Sequence, residues 1–165
     1  MNTAKPYTTG DAEREISLTR VYDAPRDMVF KAWTDPKQVA RWWGPKMFTN
    51  PVCEMDVRPG GHLRIVMHGP DGNDYPMRGE YREVVASERL SFTNIAVDAE
   101  DKPVIAGFTT VTFADEGGKT RVTVHSRGTA VVPIAMQYLQ GMEMGWSMSL
   151  DKLEDLLPRL MKEMS

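Results

Sequence analysis

Apolar and polar residues alternate along EISLTRVY, residues 15–22. That puts Ile16, Leu18, Arg20 and Tyr22 on one side of a strand and Ser17, Thr19 and Val21 on the other. At Asp23-Ala24-Pro25 the period changes. Asp23 is placed to cap a helix and Pro25 to occupy its first turn, and Val29, Phe30 and Trp33 follow at helical spacing. Asp35-Pro36 opens a second short helix, which Gly44-Pro45 must end. From residue 47 the period is two again. Cys53, Met55 and Val57 oppose Val52, Glu54 and Asp56, and Leu63, Ile65 and Met67 oppose His62, Arg64, Val66 and His68. Tyr75, Met77, Gly79 and Tyr81 share one face of the next strand, and Leu90, Phe92 and Asn94 one face of the strand after it. Two more strands are expected, around Phe108–Phe113 and around Val122 and Val124. Leu139, Met142, Trp146, Leu150, Leu153 and Leu157 then recur at three- and four-residue steps. This is one face of a long amphipathic helix that Pro158 should kink or end.

The order of elements predicts a single α+β domain over residues 14–165, behind a polar, flexible tail at 1–13. A strongly curved antiparallel sheet of about seven strands has one concave face. The C-terminal helix is the only element long enough to cover it. Methionine and tyrosine crowd the inward parity where Leu, Ile and Val would pack more rigidly. Methionine adapts to irregular ligands and tyrosine supplies a hydroxyl, so a cavity is expected between sheet and helix. Its predicted lining is Trp43, Met55, Leu63, Ile65, Met67, Met77, Tyr81, Phe92, Met142 and Trp146. Gly141, Gly145 and Ser149 recur every fourth residue, which either seats the helix close to its neighbours or leaves volume beside it. Trp42 and Trp43 point about 100° apart on a helix. One is therefore expected in the core and the other at the cavity rim.

Composition narrows the chemistry. A formal charge of −3 gives no electrostatic reason to expect nucleic acid or an anionic membrane as partner. No apolar run is long enough to span a bilayer and no signal-peptide pattern is present, so a cytoplasmic protein is the expectation; the residues leave its oligomeric state open, with a monomer favoured. The lone Cys53 has no disulfide partner, and on the apolar face its thiol should be inert. His62, His68 and His125 fall on the polar parity of their strands and read as solvent-facing. Glu54 and Asp56 share a face with Arg64 as a cross-strand ion-pair partner. EGGKT (116–120) ends like a phosphate-binding loop, but Phe113 stands where that motif needs glycine, and the stretch joins two strands. No catalytic constellation, metal site or cofactor motif is expected from these residues.

Asp23-Ala24-Pro25, Trp42-Trp43-Gly44-Pro45, Arg58-Pro59-Gly60-Gly61, ERLSFTN, FADEGGKTRVTV and Gly145-Trp146 occur in an order that resembles the bacterial branch of the activator of heat-shock-protein-90 ATPase homologue family. The resemblance runs over about residues 14–157 and implies the helix-grip fold of the START-like superfamily. Relatives there include lipid and hormone carriers, aromatic polyketide cyclases and a eukaryotic co-chaperone, and they share an apolar cavity under the long helix. The resemblance carries over no fixed catalytic residue. It implies binding of a small hydrophobic or aromatic molecule, with two alternatives. One is a chaperone as protein partner; the other is a cyclase- or hydrolase-type enzyme using Tyr75, Tyr81 or a histidine in the same cavity.

Overall fold

The alternation at the start of the chain becomes β1 (Glu13–Tyr22), with Ile16 and Tyr22 buried. The computed structural model describes residues 13–163, so the tail expected at 1–13 lies outside the described residues except for Glu13. Helix α1 (Arg26–Thr34) starts two residues later than Asp23 as cap would place it. Pro25 is the N-cap with an extended backbone and no side-chain cap, while the Asp27 carboxylate accepts the Met28 N–H at 2.9 Å. Helix α2 (Pro36–Trp42) starts as expected: the Asp35 side chain accepts the Lys37 N–H at 2.9 Å, and Pro36, lacking an N–H, suits the first turn. Trp43 is its C-cap, and Gly44, at φ +92°, turns the chain away.

Six further strands follow: β2 (Thr49–Met55), β3 (His62–His68), β4 (Asp74–Val85), β5 (Arg89–Val97), β6 (Pro103–Glu116) and β7 (Lys119–Ala130). They form one seven-stranded antiparallel sheet in the order β1-β7-β6-β5-β4-β3-β2. The middle strands are longer than the apolar cores that announced them, because the ladders of β5, β6 and β7 run on past Asn94. Two inner-face glycines let strands crowd together. A Cβ on Gly79 would lie 1.8 Å from the Thr93 carbonyl oxygen, and one on Gly107 would lie 2.8 Å from that of Asn94. Val66 is buried on the outer face, against its expected parity, between Val52 and Pro76 in register.

The C-terminal segment departs from a single helix. Pro133–Ala135 forms a 3-10 turn, α3 spans only Met136–Gln140, and Gly141 breaks the path before α4 (Met142–Glu163). Pro158 sits inside α4 without ending it. It lies on the exposed side with Glu154, whose carbonyl it leaves unpaired, so that group faces water. Beyond it, Leu160 stays buried, and Arg41 grips Glu163 through two 2.9 Å hydrogen bonds. The core lies where α1, α2 and the C-terminal half of α4 meet the inner face. Leu150, Leu153, Val111, Val122 and Val124 are fully buried there, and the Tyr22 hydroxyl donates to the Leu150 carbonyl at 2.9 Å.

Candidate functional site

The corner at Trp42-Trp43-Gly44-Pro45 organises the open end of the inner face. Trp42 is fully buried and donates its indole N–H to the Ala32 carbonyl at 2.9 Å. Trp43 is half-buried, 5.3 Å from Trp146 and 6.5 Å from Phe92 between ring centres. With Trp33 beside Trp42 and stacked on Trp146, the four tryptophans form a closed ring of neighbours. Of the two, Trp42 is the core residue and Trp43 the one that stays partly exposed, as neighbouring positions on a helix point apart.

One face of α4 fastens this corner. The Ser149 hydroxyl accepts the Gly44 N–H at 3.0 Å, and Pro45 lies 3.9 Å from where a Cβ on Gly145 would be. The Lys152 ammonium donates to the carbonyls of Trp43, Gly44 and Pro45 at 3.2–3.3 Å, and Asn50 donates to Trp43 at 2.8 Å. Burial pushes the Lys152 ammonium below its usual range. Gly145 and Ser149 therefore bring helix and corner together, whereas Gly141 marks the break in the helix.

The ten expected lining residues divide in two. Leu63, Ile65, Tyr81 and Phe92 are buried and form a packed floor. Trp43, Met55, Met67, Met77, Met142 and Trp146 keep part of their surface open. Tyr81 is only 2% exposed, yet its hydroxyl has no hydrogen-bond partner among the described residues. Burial holds that phenol above its usual range, so at neutral pH it is an uncharged hydrogen-bonding group. Cys53, on the same face, is pushed up to about 11 by burial, with Asp35 and Glu54 adding to the effect.

The other candidates lie outside this region. Tyr75 donates its hydroxyl to Asp71 at the β3–β4 turn. His62, His68 and His125 are exposed, with His68 beside Asp74 and His125 beside Glu15. Arg64 stands opposite Glu54 in register, but the expected ion pair does not form among the described residues; Asp56 takes Arg58 instead, two residues along its own chain and 2.8 Å away. An open cavity of about 720 Å3 lies on the outer, charged face among Glu54, His62, Arg64, Arg78 and Arg82. Of the ten expected residues, only Met55 and Leu63 border it. Among the described residues no group of three His, Cys, Asp or Glu side chains could hold a metal, and no helix is long and apolar enough to cross a membrane.

A polar track on the inner face went unrecognised in the sequence. Thr109 lies 2.8 Å from the Asn94 side-chain oxygen and 2.7 Å from the Ser126 hydroxyl. Thr109 and Ser126 are fully buried. Parity carried the signal, since Thr109 shares its face with Val111, and Ser126 with Val124.

This arrangement can be set beside known proteins. The family model described as activator of Hsp90 ATPase homolog 1-like protein matches residues 23–158. The chain belongs to this family. No curated protein matches it. Family-type helix-grip structures align with most of its length. Protein CV1439 from Chromobacterium violaceum is 31% identical with a TM-score of 0.73, covering 87% of this chain and 96% of its own. Protein Ms6760 from Mycobacterium smegmatis is 28% identical with a TM-score of 0.72, covering 87% and 90%. Protein NE0264 from Nitrosomonas europaea is 25% identical with a TM-score of 0.74, covering 90% and 96%.

Proposed function

We propose that this family member binds a small hydrophobic or aromatic molecule on the inner face, between the sheet and the first turns of α4. The observation that carries the reading is Tyr81. A hydroxyl sealed in a close-packed core normally finds a partner, whereas this one has none among the described residues and is not fully enclosed, with the Phe92 ring 5.9 Å from its own. The apolar cavity common to START-like relatives supports the same reading. Titrating fatty acids, flavonoids and polyketides into 15N-labelled protein tests it. Amide shifts should concentrate at residues 77–81, 92–94 and 142–146. Shifts confined to the outer face, or none, would overturn it.

A second reading is favoured by a different observation. Val131, Ile134 and Tyr138 on the segment leading into α4, and Met144 in its first turn, are 53–63% exposed. Large apolar side chains left in water suit a protein partner, and the family's name points to a heat-shock-protein-90 chaperone. ATP turnover by the bacterial chaperone, measured with saturating protein, decides it: stimulation supports this role and its absence removes it.

A further inference from the structure

We propose that Asn94 selects ligands that carry a neutral carbonyl-type oxygen on an apolar or aromatic body. This rests on the inner-face binding reading above. The orientation of the amide follows from proton counting along the polar track. Thr109 donates to the Asn94 side-chain oxygen, so Thr109 is free to accept the Ser126 hydroxyl proton. Exchanging the amide oxygen and nitrogen would leave one of the two hydroxyl protons without an acceptor among the described residues, at fully buried positions. The Asn94 Nδ2 group is thereby left with two N–H donors and no acceptor among the described residues.

The floor around it is low. Gly128, Gly107 and Asn94 lie in one register row, and a Cβ on Gly107 would come within 2.8 Å of Nδ2. The neighbouring row places Phe92 beside Tyr81, whose hydroxyl is also unpaired. The Asn94 amide thus offers uncharged donors on an inner-face row floored by two glycines, with Phe92 and Tyr81 on the adjoining row. The nearby cations are already engaged: Arg20 with Asp151 at 3.1 Å and with Ser147, and Lys152 with three backbone carbonyls. A buried carboxylate would find no free counter-charge there, whereas a ketone, ester or amide oxygen needs only the donors.

A matched pair of probes isolates this contact: 2-acetylnaphthalene, and 2-isopropenylnaphthalene, which replaces the oxygen by CH2 in the same shape. Calorimetry should show the ketone binding about tenfold tighter, as for one uncharged hydrogen bond. Only the ketone should shift the Asn94 side-chain amide signals in the wild-type spectrum. Asn94→Leu should erase the preference while keeping the hydrocarbon bound. Thr109→Val, which frees the amide to turn, should weaken the preference. Equal wild-type affinities, or a preference that survives Asn94→Leu, would overturn the inference and leave the binding reading standing. Binding of 2-naphthoate as tight as the ketone would overturn its neutral-oxygen part. If neither naphthalene binds, the binding reading falls and this inference falls with it.

Discussion

Replacing Trp42 and Trp43 one at a time by alanine should have unequal consequences. Trp42 is wholly buried and pairs edge-on with Trp33 at 4.6 Å. Truncating a buried Trp to Ala typically costs about 3–5 kcal/mol. The Ala32 carbonyl loses its 2.9 Å indole donor, which adds about 1 kcal/mol. Trp42→Ala should therefore lose about 4–6 kcal/mol. Trp43 is half-buried, and its indole N–H has no partner among the described residues. A large aromatic buries roughly 150–250 Å2 when enclosed. Half of that at about 25 cal/mol per Å2 gives about 2–3 kcal/mol. Urea unfolding followed by far-ultraviolet circular dichroism, with slopes compared for two-state behaviour, measures both. Equal losses, or a larger loss at Trp43, would refute the assignment of Trp42 to the core and Trp43 to the rim.

Other perturbations test the supports of this site. Lys152→Met keeps the apolar stem but strips three carbonyls of their ammonium donor; about 1–2 kcal/mol of stability should go in the same urea assay. Gly79→Ala drives a Cβ to 1.8 Å from the Thr93 carbonyl and should lose about 3 kcal/mol or more. Gly145→Ala meets only Pro45, at 3.9 Å, and should be neutral or gain up to about 1 kcal/mol in thermal melts. Tyr22 and Tyr81 are both raised by burial, so the folded state keeps their protons where unfolded phenols ionise near pH 10. Their contribution to stability is complete below about pH 10 and falls as pH rises further. Lys152, lowered by burial, works in the opposite direction over its own range. Absorbance at 295 nm should show two phenols ionising only with unfolding, and this step should vanish in the Tyr22→Phe/Tyr81→Phe variant. An unchanged step would contradict the assignment.

Alternation exposed the inner face because a strand's side chains can reach only two environments. Leu63, Ile65, Tyr81 and Phe92 were identifiable from parity alone, and all four are buried. Parity reports burial and says nothing of open volume, so it could not separate these floor residues from the half-open Met55, Met67 and Met77. Gly141 and Gly145 show another limit. They have the same residue type and the same spacing, yet one breaks the helix and the other seats it, because only Gly145 meets Pro45. Pro158 failed as a stop signal since the leucine stripe continues past it and Arg41 anchors the last turn. Thr109 and Ser126 occupy the apolar parity, but their chain of protons exists only once β5, β6 and β7 are in register.

Lys152 carries the same lesson into the site itself. By sequence it is one more cation on an amphipathic helix. Its acceptors are backbone carbonyls more than a hundred residues away, and a carbonyl leaves no trace in residue type. With Asn50, it fastens the Trp43 backbone through the Trp43 carbonyl. The Trp43 ring meanwhile extends to Phe92 and Trp146 with part of its surface open. The Trp43 main chain is therefore held from behind by polar contacts, while its ring packs against Trp42, Trp146 and Phe92 on one side only. On the proposed inner-face binding reading, a side chain anchored in this way offers its open surface to a ligand from a fixed position, which a half-buried residue without such anchoring would not.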